Sequence, residues 1–322
     1  MVGKTRTEAS LDQPKAEEFG FDIDHALASV VALQSEIPED AFTASVLGVK
    51  RAGSGVVIRD GLVLTIGYLV TEAETVWLTT ADGRLVPGHA LAIDQETGFG
   101  LVQTLERVDL PVLPIGRSRE AKPGDPVIVA AGGRRQFTRA HVIGKHEFAG
   151  YWEYYLDEAI FTAPAHPFWG GAAVIGADGK LIGIGSLHID QSGEERGRRD
   201  ANMVVPIDLL APVLDDLLKY GSASKPPRPW LGVYCAESDD KVIIAGVADG
   251  GPADAAGLRR GDVVAAVGDS PVGELGQFYR KVWSCGAAGV EIPLAIARDG
   301  RAMRVRIEST SRTSLFRKPR LH

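Results

Sequence analysis

The run Gly53-Ser-Gly-Val-Val-Ile-Arg-Asp-Gly-Leu-Val-Leu-Thr65 places two short β-rich segments, Gly55–Ile58 and Leu62–Thr65, on either side of an Arg59-Asp60-Gly61 turn. Apolar β-branched residues bounded by Asp-Gly read as a hairpin. The same pattern recurs at Thr75–Leu78, Val127–Ala130, Ala172–Ile175 and Leu181–Ile184, with further turns at Ala81-Asp82-Gly83 and Ala177-Asp178-Gly179. From about Ala44 to Val205 no helical stretch intervenes, so this region predicts antiparallel barrels or sandwiches rather than a βαβ fold.

Upstream, the chain is polar and acidic and then becomes apolar at Ala26, Val30, Val31 and Leu33, a spacing that fits one short helix. Downstream, Leu209, Val213 and Leu217 predict an amphipathic helix over Asp208–Tyr220. Gly221-Ser-Ala-Ser-Lys-Pro-Pro-Arg-Pro229 is rich in breakers and reads as an interdomain connector. Beyond it, strands at Val242–Ala245, Val263–Val267, Ile292–Ile296 and Met303–Ile307 accompany a helix near Glu274–Trp283. The expected organisation is an N-terminal segment with a short helix (1–40), a β domain (41–220), a linker (221–229), an α+β domain (230–311) and a basic tail (312–322). Arg312, Arg317, Lys318 and Arg320 of that tail have no acid beside them, which suits either a solvated end or contact with an acidic partner.

With 322 residues there is room for two cores, and 45% apolar with 24% charged residues is ordinary for a globular protein. Thirty-five basic against 42 acidic residues give a net charge of −7, which argues against nucleic acid or an anionic membrane as partner. Met1–Asp24 holds no apolar run of signal-peptide or membrane-span length, so a cytoplasmic location is expected, or a periplasmic one if the N-terminus is processed. Cys235 and Cys285 lack metal-ligand spacing and read as buried free thiols. His141 and His146, five apart, would face opposite sides of a strand. No cofactor or metal is expected.

Three patterns in order make the β domain resemble the HtrA (DegP-like) branch of trypsin-like serine proteases. Gly53–Thr65 is similar to the family's opening hairpin, which there leads into Asn-x-His-Val; here Gly67-Tyr68-Leu69-Val70 follows, placing Tyr68 at or beside the general-base position. Asp82-Gly83-Arg84, Ala92-Ile-Asp94 and Thr97-Gly-Phe-Gly-Leu-Val102 resemble Asp-x-x-Thr-Asp-Leu-Ala-Val-Leu, with Gly98 in place of the orienting aspartate. Pro164-Ala-His-Pro-Phe-Trp-Gly-Gly-Ala-Ala-Val174 resembles the nucleophile turn Asn-Pro-Gly-Asn-Ser-Gly-Gly-Pro-Leu. Aligned on Gly170 and Gly171, it puts Trp169 in place of the serine. Asp178–Ile184 and Met203–Ile207 extend the likeness over essentially the whole domain, implying a trypsin-like double β-barrel.

Acyl transfer by this machinery needs a hydroxyl, an imidazole, a carboxylate that fixes the imidazole, and backbone N–H groups facing the oxyanion. The resemblance gives an indole at Trp169, a phenol of pKa about 10 at Tyr68 and a hydrogen atom at Gly98. Pro167, two residues before Trp169, also lacks the N–H of the second oxyanion donor. Losing even one triad member costs about four orders of magnitude in rate. A rearranged site using His166, or Ser186 with His188, has no acid placed by sequence. The cluster Tyr151-Trp152-Glu153-Tyr154-Tyr155 suits either core packing or the gripping of a partner. With Phe168 and Trp169 it suggests a cleft filled from within.

Gly251-Pro-Ala-Asp-Ala-Ala-Gly-Leu-Arg-Arg-Gly-Asp-Val-Val264 strongly resembles the signature of bacterial PDZ domains, and the likeness continues to about Ile307. Such domains add an extended C-terminal peptide as a strand, its carboxylate held by N–H groups of an x-Φ-Gly-Φ loop. That loop maps onto Trp230, Leu231, Gly232 and Val233, with Phe278 and Val282 of the following helix as candidates for the groove wall. The groove is either open or blocked. The resemblance therefore implies a mainly β protein, a double antiparallel β-barrel plus a PDZ domain, binding C-terminal or unfolded peptides as a scaffold or regulator. It also implies a homo-oligomer, with a trimer as one form. The alternatives are an active endopeptidase with a rearranged site and a holdase-like chaperone.

Overall fold

A computed structural model describes residues 20–132, 136–191 and 199–317. They divide into two compact units. The first comprises 20–39, Ala44–Lys145 and Ala159–Ala223, and the second Asp40–Thr43, His146–Glu158 and the chain from Ser224 onward.

The first unit opens with α1 (Ile23–Ala28), whose His25 N–H is capped by the Asp22 carboxylate at 3.0 Å. The helix ends there. Val30, Val31 and Leu33, expected on it, instead lie on β1 (Val30–Glu36), a strand of the barrel. After α2 (Ala44–Leu47) come β2 (Lys50–Arg59), β3 (Leu62–Ile66), β4 (Thr75–Thr79), β5 (Leu85–Ile93) and β6 (Phe99–Thr104). They close a barrel in the order β1-β2-β3-β6-β5-β4, filled by Val31, Leu33, Leu64, Leu78, Phe99 and Leu101.

A second barrel follows from β7 (Pro126–Ala131), β8 (Gln136–Gly150), β9 (Tyr154–Ala163), β10 (Ala173–Gly176), β11 (Leu181–Gln191) and β12 (Arg199–Pro206), closed as β10-β11-β12-β9-β8-β7. Its core packs Val127, Val129, Ala140, Val142, Ile160, Val174 and Val204. α3 (Ala211–Tyr220) then ends on Gly221, left-handed at φ 73°, whose N–H caps the Leu217 carbonyl at 3.0 Å.

The second unit contains the five-strand path β13 (Val233–Ser238), β14 (Lys241–Val247), β15 (Val263–Val267), β17 (Glu291–Arg298) and β18 (Arg301–Glu308), with β16 (Ser270–Pro271) beside β15. α4 (Pro252–Ala255) and α5 (Leu275–Ser284) complete it. The Gly261-Asp262 of its signature has a local reason: Asp262 accepts from the Arg259 N–H at 2.8 Å and pairs with Arg298 through two bonds of 2.7 Å. Arg298 and the Arg259 N–H hold the Asp262 carboxyl below the usual range. Cys235 is buried as expected, whereas Cys285 is exposed because it lies just past the end of α5.

Candidate functional site

In the first unit a single 3-10 turn, Gly67–Leu69, follows β3 and carries Tyr68. The Tyr68 hydroxyl donates to the Ser186 carbonyl at 2.9 Å, and a β-carbon at Gly170 would lie 2.8 Å from it. Burial pushes the phenol's pKa above its ordinary value, with the facing Trp169 indole partly opposing that rise. Tyr68 therefore keeps its proton at neutral pH. Gly98 lies one peptide away, its carbonyl accepting the Gly67 N–H at 2.7 Å. Tyr68, Trp169, Gly170 and the Gly98 backbone thus meet in one place.

The flanks of Trp169 are fixed by backbone chemistry. His166, fully buried, accepts the Phe168 N–H at Nδ1 (3.0 Å), which leaves its proton on Nε2. Pro167 is exposed and has no N–H to offer. Phe168 is 56% exposed, so it does not fill a cleft from within. Trp169 stacks on His188 with ring centroids 5.3 Å apart.

Sequence reasoning placed no acid near His188, but Asp200 stands 3.8 Å from its Nε2 across the β11–β12 ladder. The pairing depends on strand register, which no local motif reveals. Ser186, two residues before His188, falls at a register shift between Gly185 and Leu187, and among the described residues its hydroxyl makes no hydrogen bond to His188. His141 and His146 lie on β8, and among the described residues no group of three His, Cys, Asp or Glu side chains could hold a metal ion.

The second unit holds the other candidate site. Gly232 adopts φ 79°, where a β-carbon would strike the Trp230 ring at 2.9 Å, so glycine is required. This conformation points the N–H groups of Leu231, Gly232 and Val233 toward one place. Glu153 is there: its Oε2 accepts from Leu231 at 2.9 Å, and its Oε1 from Gly232 at 2.7 Å and Val233 at 2.9 Å. The aromatic cluster expected beside Trp169 is instead the tip of the β8–β9 hairpin and belongs to this unit. Phe278 and Val282 are 0% and 1% exposed and share a core with Leu231, Val233 and the hairpin's Tyr155.

Comparison with known proteins matches residues 53–184 to the trypsin-like peptidase domain and residues 229–308 to the PDZ domain. A probable periplasmic serine endoprotease, DegP-like, from Hahella chejuensis is 26% identical over 274 residues, covering 80% of this chain and 57% of that protein. A putative serine protease HhoA from Synechocystis sp. is 26% identical over 297 residues, covering 83% of this chain and 71% of that protein. The chain thus spans little more than half the length of the Hahella relative. Among solved structures, the HtrA-type protease AlgW with a tripeptide gives a TM-score of 0.53 at 22% identity, covering 92% of this chain and 97% of that one. The serine endoprotease from Yersinia pestis gives 0.51 at 21%, covering 89% and 96%. At those identities the structural likeness speaks for the fold alone.

Fold and domain matches together define a trypsin-like peptidase domain followed by a PDZ domain. In this order of domains the chain is similar to the DegP-like and HtrA-type proteases named above. The DegP-like relatives are named as periplasmic, which lends no support to the cytoplasmic location expected from sequence. Among the described residues no helix is long and apolar enough to cross a membrane.

Proposed function

We propose that this chain is an HtrA-like protein without triad hydrolysis, acting in the periplasm as a peptide- or protein-binding scaffold or regulator through its PDZ domain. The observation that carries this reading is the Trp169 indole facing the Tyr68 phenol where a hydroxyl and an imidazole would have to meet. Three further features support it. The phenol holds its proton instead of taking one. The Phe168 N–H bonds to His166. Gly98 adopts φ 81°, in the left-handed region where an L residue is less favourable than glycine, and it supplies no carboxylate to orient an imidazole. Assembly into a homo-oligomer such as a trimer belongs to this reading, and light scattering of the purified chain tests it.

An active endopeptidase is the second reading, favoured by the names of the relatives. Cleavage of unfolded casein, with and without a serine-directed fluorophosphonate, separates the two. No inhibitor-sensitive turnover is expected, and turnover that survives purification and is abolished by the inhibitor overturns the proposal.

The Gly98 backbone provides an independent test. Adding Gly98→Asp to a Tyr68→His/Trp169→Ser protein is expected to cost about 1 kcal/mol of stability, because an L side chain is less favourable than glycine in the left-handed region, although aspartate tolerates it better than most. Urea midpoints of the double and triple variants measure it. An unchanged midpoint would mean that the turn relaxes to accept an acid.

A further inference from the structure

A carboxylate held by three successive backbone N–H groups of an x-Φ-Gly-Φ loop is the chemistry by which a PDZ domain recognises the end of a peptide. Here the carboxylate belongs to the chain itself. Glu153 takes both oxygens to Leu231, Gly232 and Val233, and it does so from a backbone φ of 60°, where an L residue is strained and a turn would ordinarily place Gly or Asn.

The rest of the hairpin tip follows the path of a bound peptide. β13 is the edge strand of its sheet, and its Cys235 N–H donates to the Tyr151 carbonyl at 2.8 Å, a bond of the kind an added strand makes. Opposite, α5 contributes Tyr279, whose hydroxyl donates to the Gly150 carbonyl at 2.8 Å and accepts the Glu153 N–H at 3.1 Å. Tyr155 lies along one face of the same helix. A β-carbon at Gly276 would touch its ring at 2.9 Å, Arg280 sits 5.0 Å above that ring, and Trp283 is 6.3 Å from it. Edge strand, carboxylate loop and helix are all engaged by residues 150–155.

We infer that Glu153 is a tethered ligand of the carboxylate-binding loop, so that a free peptide C-terminus enters the groove only by displacing the tip of the β8–β9 hairpin. This rests on the peptide-binding reading above and adds that the groove is occupied at rest by an internal competitor.

The test compares the full-length chain with Glu153→Gly, which removes the carboxylate while suiting the positive φ. Hydrogen exchange reads the Leu231, Gly232 and Val233 amides. Fluorescence anisotropy reads a labelled decapeptide mixture ending in a free carboxylate on Val, Leu or Phe, with its C-terminally amidated counterpart as control. In Glu153→Gly the loop amides are expected to exchange roughly tenfold faster or more, and the free-acid mixture to bind about tenfold tighter than to the parent, since affinity falls with the competent fraction. The amidated mixture is expected to bind neither.

Equal binding to both proteins, or unchanged exchange, overturns the inference and leaves the peptide-binding reading intact. Faster exchange with no binding to either protein overturns that reading and reduces the hairpin contact to a structural one. Undiminished protection of β17 and β18 shows that the variant is folded. Should it not be, Glu153→Gln, which swaps one acceptor oxygen for a donor facing N–H groups, is read by the same criteria.

Discussion

Replacing Gly171 with alanine is expected to destabilise the barrel unit by about 3–5 kcal/mol, combining a left-handed penalty for an L residue with steric overpacking. Gly171 sits at φ 75°, and a β-carbon there would come within 1.9 Å of the Ser54 carbonyl oxygen, a backbone atom that cannot rotate away. Three bonds lock the surrounding crossing: Gly171 N–H to the Gly185 carbonyl at 2.9 Å, Gly185 N–H to Ala172 at 2.8 Å, and Ser54 N–H to Gly170 at 2.8 Å. Gly170→Ala, by contrast, meets only the tip of the Tyr68 side chain and should cost less. Urea unfolding of both variants measures the difference, and a Gly171→Ala midpoint close to that of the parent would contradict the geometry. Gly171, the second of the two glycines on which the nucleophile turn aligns, is therefore needed by the backbone path alone, whether or not an oxyanion is ever bound there.

That separation of framework from chemistry explains what could be read from sequence. The hairpin Gly53–Thr65 and the Gly251–Val264 block are local devices, made of turn residues and alternating apolar runs whose meaning does not depend on distant partners. Val30, Val31 and Leu33 misled because β1 is buried on both faces over its first half, and a short run of apolar residues without clean alternation satisfies helical spacing equally well. The meeting of Tyr68 with Trp169 was accessible only through the resemblance, since 101 positions, the difference of their numbers, separate them. Glu153 was harder still. Its partners lie 78 to 80 positions away, and an acid in an aromatic-rich hairpin has no local mark that distinguishes a ligand from a turn residue. Asp200 beside His188 was hidden by strand register in the same way.

The hairpin contact is expected to loosen as pH rises. Burial pushes the Glu153 carboxyl from its ordinary 4.5 up to about 7, with the N–H groups of Leu231, Val233 and Gly232 and the charge of Arg312 restraining the rise. The other groups facing it are Cys235 and Tyr234 on β13 and Tyr279 on α5, all held neutral by burial, while burial lowers Arg312 from a value too high for it to lose its charge in this range. A carboxyl whose pKa is higher when closed binds its proton more tightly in that state. Its contribution to closure is therefore complete below 4.5 and is lost as pH climbs through about 7. A difference of this size shifts the closed-to-open ratio by up to roughly two orders of magnitude. Exchange of the Leu231, Gly232 and Val233 amides, divided by that of β17 amides in the same sample, removes the intrinsic pH dependence of exchange. Between pH 5.5 and 8 the ratio should rise about tenfold or more in the parent and stay flat in Glu153→Gln. A parent ratio that falls would mean that the three N–H donors outweigh burial and that the loop prefers the ionised side chain, as it would prefer a peptide's own terminus. The sign of the slope thus decides whether Glu153 competes with a peptide as a neutral acid or as a second carboxylate.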